Sequence, residues 1–193
     1  MMKNKWNTPI ILASASPRRK ELMKLMTDNF QVIPADVDET LPADIFPEEA
    51  AEYLAEKKCR VVAEEHKDSA VIGCDTVVIE GKEILGKPVD ITDACRMLRT
   101  LSGRNHLVIT GVCIFYREKY HKFSEISQVE FYPLSNDEIN EYAETGEPRD
   151  KAGAYGIQGL GGLLVKSIQG DYNNIVGLPA ARLKRVLEEL LNG

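Results

Sequence analysis

Residues 10–19, IILASASPRR, form the first structural unit that the sequence predicts. Residues 10–13 form a short apolar run that is typical of a buried strand. Ser16 and Pro17 then supply an N-cap residue and a proline at the first helical position. From Leu22 onward, apolar residues continue at helical spacing. The chain therefore opens with a strand, a tight turn and a helix.

The rest of the chain continues this alternation of strands and helices. We predict strands at residues 30–34, 70–74 running into 76–79, 107–116, 120–131 and 163–165, and helices at residues 47–62, 93–101, 136–145 and 179–191. Residues 80–82 read as a hairpin turn and residues 153–162 as a glycine-rich loop. Because adjacent strands occur in the middle of the alternation, the pattern predicts an α/β fold with a mixed sheet. We see no linker, so residues 1–193 are predicted to form a single domain.

The composition indicates an ordinary globular protein. Of the 193 residues, 44% are hydrophobic and 28% are charged, which is enough to bury a core without disulfides or structural zinc. The formal net charge of −6 argues against a nucleic-acid polymer as the main partner, because phosphate backbones are bound through basic surface. A small phosphorylated ligand needs only a local cationic pocket. No stretch approaches the ~20 apolar residues of a membrane span, so we expect no membrane partner.

The cysteines and the first apolar run indicate a cytoplasmic location. Four cysteines lie far apart and form no C-x-x-C pair, which argues against zinc and favours buried or free thiols in a reducing cytosol. The apolar run at residues 9–13 is shorter than the roughly 7–15 residues of a signal-peptide core. We therefore expect the protein to be cytoplasmic.

Residues 14–19 are a candidate anion site. A strand that leads directly into a helix presents free backbone N–H groups and the positive end of the helix dipole. The hydroxyls of Ser14 and Ser16 and the guanidiniums of Arg18 and Arg19 strengthen this site. A capped helix with two solvated arginines is the alternative, and the motif alone does not decide between them.

Asp75 directly follows the buried run at residues 70–74. This position is the carboxyl end of a predicted strand, where α/β sheets usually place ligand-binding groups. A carboxylate there can hold Mg²⁺ or orient an attacking water. The alternative is an aspartate that caps a turn, but the predicted hairpin turn lies further on, around Gly81.

Two further motifs suit a phosphorylated ligand with a base. In Gly86-Lys87-Pro88, glycine lets the backbone approach a ligand and Lys87 supplies a charge for phosphate. In residues 150–159, DKAGAYGIQG, the amide of Gln158 can donate to and accept from a base edge. An exposed turn and a flexible surface loop are the alternatives. Regularly placed apolar residues between the glycines favour a packed functional loop.

These motifs, in this order, resemble the Maf family of nucleotide pyrophosphatases. The resemblance covers residues 12–19, 37–39, 58, 73–76, 86–88, 101–104, 150–159 and 177–179. It implies an elongated, ITPase-like α/β fold with a mixed sheet flanked by helices, often as a homodimer. It also implies a metal-dependent, house-cleaning hydrolase that releases pyrophosphate from non-standard or excess nucleotides.

The resemblance also implies roles for individual residues. Asp75 corresponds to the catalytic acidic residue of the family, and Arg18, Thr76 and Gln158 correspond to positions linked to substrate choice. Residues 150–159 resemble the branch that acts on dTTP and UTP, and they depart from the branch that favours 7-methyl-GTP. Cys74 stands where the family usually carries alanine, a small change that the fold should tolerate.

A nucleoside triphosphate would use these residues together. The residues expected to bind it are Ser14, Arg18, Arg19, Lys58, Thr76, Lys87 and Gln158. Glu39 and Asp75 would hold Mg²⁺ or Mn²⁺ while water attacks the α-phosphorus in line. Asp75 would either orient or deprotonate this water, or act only as a metal ligand. The alternative functions are a pyrophosphatase for another base, such as 7-methyl-GTP or ITP, and a non-catalytic nucleotide-binding regulator of septum formation.

Overall fold

The computed structural model describes residues 6–192 of the chain. Its strands are β1 (Ile10–Ala13), β2 (Gln31–Val32), β3 (Ala70–Glu80), β4 (Glu83–Leu85), β5 (Asn105–Tyr116), β6 (Lys119–Phe131) and β7 (Val165–Gln169). Its α-helices are α1 (Pro17–Lys24), α2 (Ala50–Glu65), α3 (Ile91–Leu101), α4 (Asn136–Glu144), α5 (Tyr172–Val176) and α6 (Ala180–Asn192). Short 3₁₀ turns lie at Pro47–Glu49, Glu147–Asp150, Ala152–Ala154 and Leu160–Leu164.

The strands of residues 6–192 form one mixed sheet. Its order is β2-β1-β3-β5-β6-β7, with β4 paired to β3. β1 is parallel to both β2 and β3, whereas the β3–β4 and β6–β7 pairs are antiparallel. The predicted α/β fold, a mixed sheet flanked by helices, is therefore confirmed.

The chain forms two compact units, each with its own core. The first unit contains the described residues up to Asp75, Thr110–Glu125 and the residues from Gly177 onward. The second unit contains Thr76–Ile109 and Ile126–Val176. In the first unit, α2 packs against β1, β3 and β5, and in the second unit α3 and α4 pack against β5 and β6. The prediction of a single domain over residues 1–193 concerns the whole chain and stays a prediction.

Local signals located most element starts correctly. Ser16 caps α1 by accepting a hydrogen bond from the backbone N–H of Arg19 at 3.4 Å, with Pro17 at the first helical position. Ser135 and Glu138 close a capping box at the start of α4. In each case the side chain accepts a hydrogen bond from a backbone N–H group that has no partner within the helix.

Two predicted strands differ from the structure, and one helix was not predicted. The strand predicted at residues 30–34 is only the two-residue β2. The strand predicted at residues 163–165 begins at Val165, because the preceding residues form a 3₁₀ turn. Helix α5 was not predicted, since its polar sequence has no apolar periodicity. Its buried Asn174 instead donates hydrogen bonds to the Val108 carbonyl (3.0 Å) and the Ser127 hydroxyl (2.8 Å).

Two expectations from composition can be compared with the structure. All four cysteines are buried free thiols, as predicted. Within residues 6–192, none of the helices has both the length and the apolar character needed to cross a bilayer.

The turn between β5 and β6 carries backbone strain. Arg117 and Glu118 have φ angles of 48° and 62°, the left-handed conformation that a tight two-residue hairpin turn requires. This conformation costs a non-glycine residue ~1–2 kcal/mol.

We expect Glu118→Gly to raise the free energy of unfolding by about 1 kcal/mol, measured by urea denaturation. Lys119→Gly, at the first residue of β6, is the control and should lower it, and equal effects of the two variants would contradict the assignment of strain.

Candidate active site

The turn between β1 and α1 is held by its own hydroxyls. Ser14 is buried, and its Oγ accepts hydrogen bonds from the backbone N–H of Ser16 (3.2 Å) and from Nη1 of Arg19 (3.3 Å). Ser16 is occupied as the N-cap of α1. The predicted anion site is therefore an ordered turn whose hydroxyls orient an arginine and a helix start.

Arg19 is anchored beside the strand that carries Asp75. Its Nε donates a hydrogen bond of 2.8 Å to the carbonyl of Gly177, and the Cys74 thiol donates to the same carbonyl at 3.3 Å. Burial raises the pKa of Cys74 to about 11, so this thiol stays neutral at physiological pH. Arg18, the neighbouring guanidinium, is partly buried. The Gly177 carbonyl thus links the start of α1 to the middle of β3.

Asp75 does not lie at the end of its strand, so that prediction was wrong. Strand β3 continues through it to Glu80. However, the parallel pairing of β1 with β3 ends at Ala13 opposite Gly73, and the antiparallel pairing with β4 begins only at Val78. Asp75 therefore lies just beyond the carboxyl end of the parallel part of the sheet, because β3 changes partner there without stopping.

Two glycines allow helix α2 to lie unusually close to the sheet. A Cβ at Gly73 would come within 2.2 Å of the Ala55 carbonyl oxygen, and one at Gly111 within 2.3 Å of the Ala51 carbonyl carbon. Such distances exclude any side chain at either position. Since strand side chains alternate between faces, Asp75 lies on the same face as Gly73 and points towards this helix.

Lys58 of α2 meets two carboxylates at this point. Its ammonium forms an ion pair with Oδ1 of Asp75 and lies 2.7 Å from Oε1 of Glu39. Lys58 and Asp75 are 8% and 9% exposed, whereas about half of the Glu39 side chain is exposed. Burial alone would lower the pKa of Lys58, but the charges of Asp75 and Glu39 outweigh it and the pKa is raised. Lys58 is therefore held as a buried cation.

The two carboxylates are suitable ligands for a divalent cation. They converge on a single positive charge, and carboxylate oxygen is the donor that Mg²⁺ and Mn²⁺ prefer. Within residues 6–192 no cluster of three or more His, Cys, Asp or Glu side chains could hold a metal by itself. A cation held by Glu39 and Asp75 would therefore need phosphate or water oxygens as well, which is how Mg²⁺ is commonly bound at phosphate sites.

The remaining predicted residues lie in the second unit. Thr76 is half-buried on β3, and Lys87 is exposed after β4. The backbone N–H of Gly153 donates a hydrogen bond of 3.1 Å to the Gly86 carbonyl, so the structure brings the Gly-Lys-Pro motif next to the glycine-rich segment. Gln158 is exposed within residues 156–161, which we call the Gln158 loop.

A large groove in the first unit is separate from these residues. It has a volume of about 760 Å³ and is lined by Pro42, Asp44, Ile45, Phe46, Glu48, Glu49, Glu52, Tyr53, Glu56, Lys122 and Ser124. None of the predicted site residues lines it, and its many carboxylates would repel a phosphate group. We therefore assign the candidate site to the buried charges and not to this groove.

Sequence reasoning did not assign a role to several residues that organise these regions. The Gly177 carbonyl is one, although its glycine carries a φ of 125° that marks an unusual backbone. Tyr155 is another, since its hydroxyl is bonded to the ring nitrogen Nε2 of the buried His106 at 2.9 Å. Tyr142 and Glu147 contact the Gln158 loop through hydrogen bonds. Only the positive φ of glycine could have been suspected from sequence.

Comparison with known proteins covers nearly the whole chain. The profile of the family described as Maf-like protein matches residues 9–190. The dTTP/UTP pyrophosphatase of Bacillus velezensis is 50% identical over 180 residues, which are 93% of this chain and 95% of that protein. The proteins of the same name from Halalkalibacterium halodurans (47% over 180 residues; 93% and 95% of the two chains) and Bacillus cytotoxicus (48% over 183 residues; 95% and 96%) are similarly related.

A solved structure can also be superimposed in part. The Staphylococcus aureus Ham1 protein aligns with a TM-score of 0.41 at 15% identity, over 64% of this chain and 72% of that chain. The family profile, which matches residues 9–190, includes every predicted site residue from Ser14 to Gln158.

The buried ion pair can be tested by removing one partner. Lys58→Met leaves the Asp75 carboxylate buried without its cation, and we expect the free energy of unfolding to fall by about 3 kcal/mol. Adding Asp75→Asn in the same chain removes the stranded charge and should recover more than half of this loss. Urea denaturation of both variants measures the effect.

Lys57→Met is the matched control, because Lys57 is the neighbouring residue and lies nearer the surface. It should cost less than about 1 kcal/mol. Equal losses for Lys57→Met and Lys58→Met, or a double variant no more stable than Lys58→Met, would contradict the buried pair.

Proposed function

This chain belongs to the Maf family, and on that premise we propose that it hydrolyses dTTP and UTP, and modified pyrimidine nucleotides, to the monophosphate and pyrophosphate. The observation that carries the proposal is the meeting of Asp75, Glu39 and Lys58 beyond the carboxyl ends of the parallel strands. Relatives named dTTP/UTP pyrophosphatase support the choice of substrate. House-cleaning of the nucleotide pool is the corresponding cellular role.

Charge neutralisation is the first task of such a site. A triphosphate is highly anionic, and its hydrolysis depends mainly on positioning and on balancing its charge. Arg19 is already oriented by Ser14 and by the Gly177 carbonyl, so it would bind phosphate without losing much side-chain freedom. Arg18 and the start of α1 add positive potential at the same turn.

The hydrolytic step transfers the α-phosphoryl group to water. The water oxygen forms the new bond to the α-phosphorus, the bond to the bridging oxygen breaks, and pyrophosphate leaves. We assign Asp75 to orient this water and accept its proton, with Lys58 holding the carboxylate in a fixed orientation. A divalent cation, Mg²⁺ or Mn²⁺, held by Glu39 and Asp75 would neutralise the phosphate oxygens and the leaving group.

Other parts of the proposal rest on family resemblance. Roles for Thr76 and Gln158 in substrate choice, and for Lys87 in phosphate binding, stay predictions, as does a homodimer. Four buried free thiols are typical of proteins in a reducing compartment, and we extend the proposal to the cytoplasmic nucleotide pool.

The reaction is tested by product release from a panel of substrates. We expect metal-dependent release of pyrophosphate from dTTP and UTP, little from CTP, 7-methyl-GTP or ITP, and none when a chelator removes Mg²⁺ and Mn²⁺. Release from another base would keep the reaction and overturn the specificity. No release from any nucleotide would favour a nucleotide-binding regulator instead.

The role of Asp75 is tested by removing its charge. Asp75→Asn should lower kcat for dTTP by about 10²–10⁴-fold, because it loses the proton acceptor and a metal ligand. Asp68→Asn, at an exposed turn, removes the same charge and should leave kcat unchanged. Urea denaturation shows that each variant is folded. Near-normal turnover and metal affinity in Asp75→Asn would mean that both assigned roles are wrong.

A further inference from the structure

The glycines of the Gln158 loop are packed against side chains of the protein itself. A Cβ at Gly159 would lie 2.3 Å from Oε2 of Glu147, and one at Gly161 would lie 2.5 Å from the hydroxyl of Tyr142. A Cβ at Gly156 would lie 2.6 Å from Cε of Lys151 and 3.3 Å from Oε1 of Glu147. The three glycines are therefore explained by the close approach of Lys151, Glu147 and Tyr142 to the loop backbone.

Glu147 and Tyr142 hold both ends of this loop by hydrogen bonds. The Glu147 carboxylate accepts from the backbone N–H groups of Leu160 (2.9 Å) and Gly161 (3.1 Å) and from the Tyr142 hydroxyl (2.9 Å). The same hydroxyl accepts from the backbone N–H of Gly156 at 3.1 Å. One carboxylate and one phenol thus satisfy three backbone donors at the beginning and the end of the loop.

The charge of Glu147 is maintained by these donors. Burial by itself would raise the pKa of Glu147, but hydrogen bonds from the backbone of Gly161 and Leu160 outweigh it and the pKa is lowered. Burial raises the pKa of Tyr142, so its hydroxyl keeps its proton and can donate to the carboxylate. Hydrogen bonds to an ionised acceptor are stronger than neutral ones.

The side chains that hold the loop stand on rigid structure. Tyr142 lies on α4 and is 5% exposed, within the core of the second unit. Glu147 follows Gly146, whose φ of 77° ends the helix, and precedes the buried Pro148. Lys151 donates to the Glu147 carbonyl at 2.6 Å, which restrains the backbone of this residue. Motion of the loop relative to α4 is therefore restricted.

Gln158 lies between the two held ends. It is exposed, and its side chain makes no hydrogen bond to any other part of residues 6–192. Its amide is therefore available to a ligand, while its backbone is restrained on both sides. A loop that is already ordered binds a ligand without the entropic cost of ordering its backbone, which increases affinity.

We propose that Glu147, acting with Tyr142, is a positioning residue that sets base selectivity by holding Gln158 in place. The inference rests on the proposed function, since it takes Gln158 as the residue that recognises the base. Uracil and cytosine exchange a hydrogen-bond acceptor for a donor on the base edge. The amide of Gln158 offers one donor and one acceptor to this edge, and the held backbone fixes the place from which the amide reaches the base.

Glu147→Gln tests this role. The amide keeps the shape of the side chain but loses the charge and one acceptor, so a backbone donor of the loop is left without its partner. We expect KM for UTP to rise about tenfold and the UTP-to-CTP ratio of kcat/KM to fall about tenfold, as for loss of one charged hydrogen bond. The kcat for UTP should change less than about twofold, because the reacting groups are untouched.

Two further variants complete the set. Tyr142→Phe releases Gly156 but leaves the bonds from Leu160 and Gly161, and should show a smaller change in the same direction. Glu144→Gln removes the same charge from an exposed position on α4 and should behave as wild type. An unchanged KM and base ratio in Glu147→Gln, or an equal fall in kcat for every substrate, would overturn the proposal. If Glu147→Gln does not fold, the test rests on Tyr142→Phe, in which an unchanged KM and base ratio, or an equal fall in kcat for every substrate, would overturn the proposal.

Amide hydrogen exchange separates this inference from the proposed function. The backbone amides of Leu160 and Gly161 should exchange faster in Glu147→Gln than in wild type, while amides of α3 do not change. If the wild-type protein hydrolyses no triphosphate, or does not distinguish UTP from CTP, the proposed function fails. In that case the hydrogen exchange of Leu160 and Gly161 is the measurement that tests whether Glu147 holds the loop. Unchanged exchange at Leu160 and Gly161 would overturn the positioning role whatever the activity.

Discussion

The close approach of α2 to the sheet is the constraint on which the candidate site depends. Gly73 and Gly111 leave no room for a side chain between strand and helix backbone, and this brings Lys58 to Asp75. Neither partner would be stable there alone, because an isolated buried charge is strongly unfavourable. Once the pair has formed, Glu39 can join it from the exposed side. A packing feature without any chemistry of its own therefore determines where the charged groups lie.

Local sequence signals were sufficient to predict the features that a few neighbouring residues determine. The cap at Ser16 and Pro17, and the hairpin at Gly81, are encoded within a few residues. Pairing partners are not encoded in this way. The sequence shows a long apolar run around Asp75, but not that β3 exchanges a parallel neighbour for an antiparallel one there. The sequence consequently predicts Asp75 at a strand end, whereas it lies within a continuous strand, just beyond the last parallel pair.

The glycine-rich segment shows a second limit of sequence reasoning. Dense glycines indicate that something approaches the backbone closely, and the sequence cannot say whether this is a ligand or a side chain. In this chain, side chains approach Gly159 and Gly161, and they come from Tyr142 and Glu147 on the preceding helix and turn. The predicted packing of this loop is seen in the structure, and its predicted function stays a prediction. The roles of Lys87 and Gln158 stay predictions, because they depend on a ligand.

The four buried thiols supply a natural set of reporters for local opening. Cys59, Cys74 and Cys113 lie in the first unit and Cys95 lies in the second, and all four are shielded in the folded chain. An alkylating reagent can reach each one only when the structure around it opens. Mass spectrometry after a short labelling pulse would therefore show which unit opens first, without adding any probe. Cys74 adjoins Asp75, so its labelling would follow the integrity of the candidate site itself.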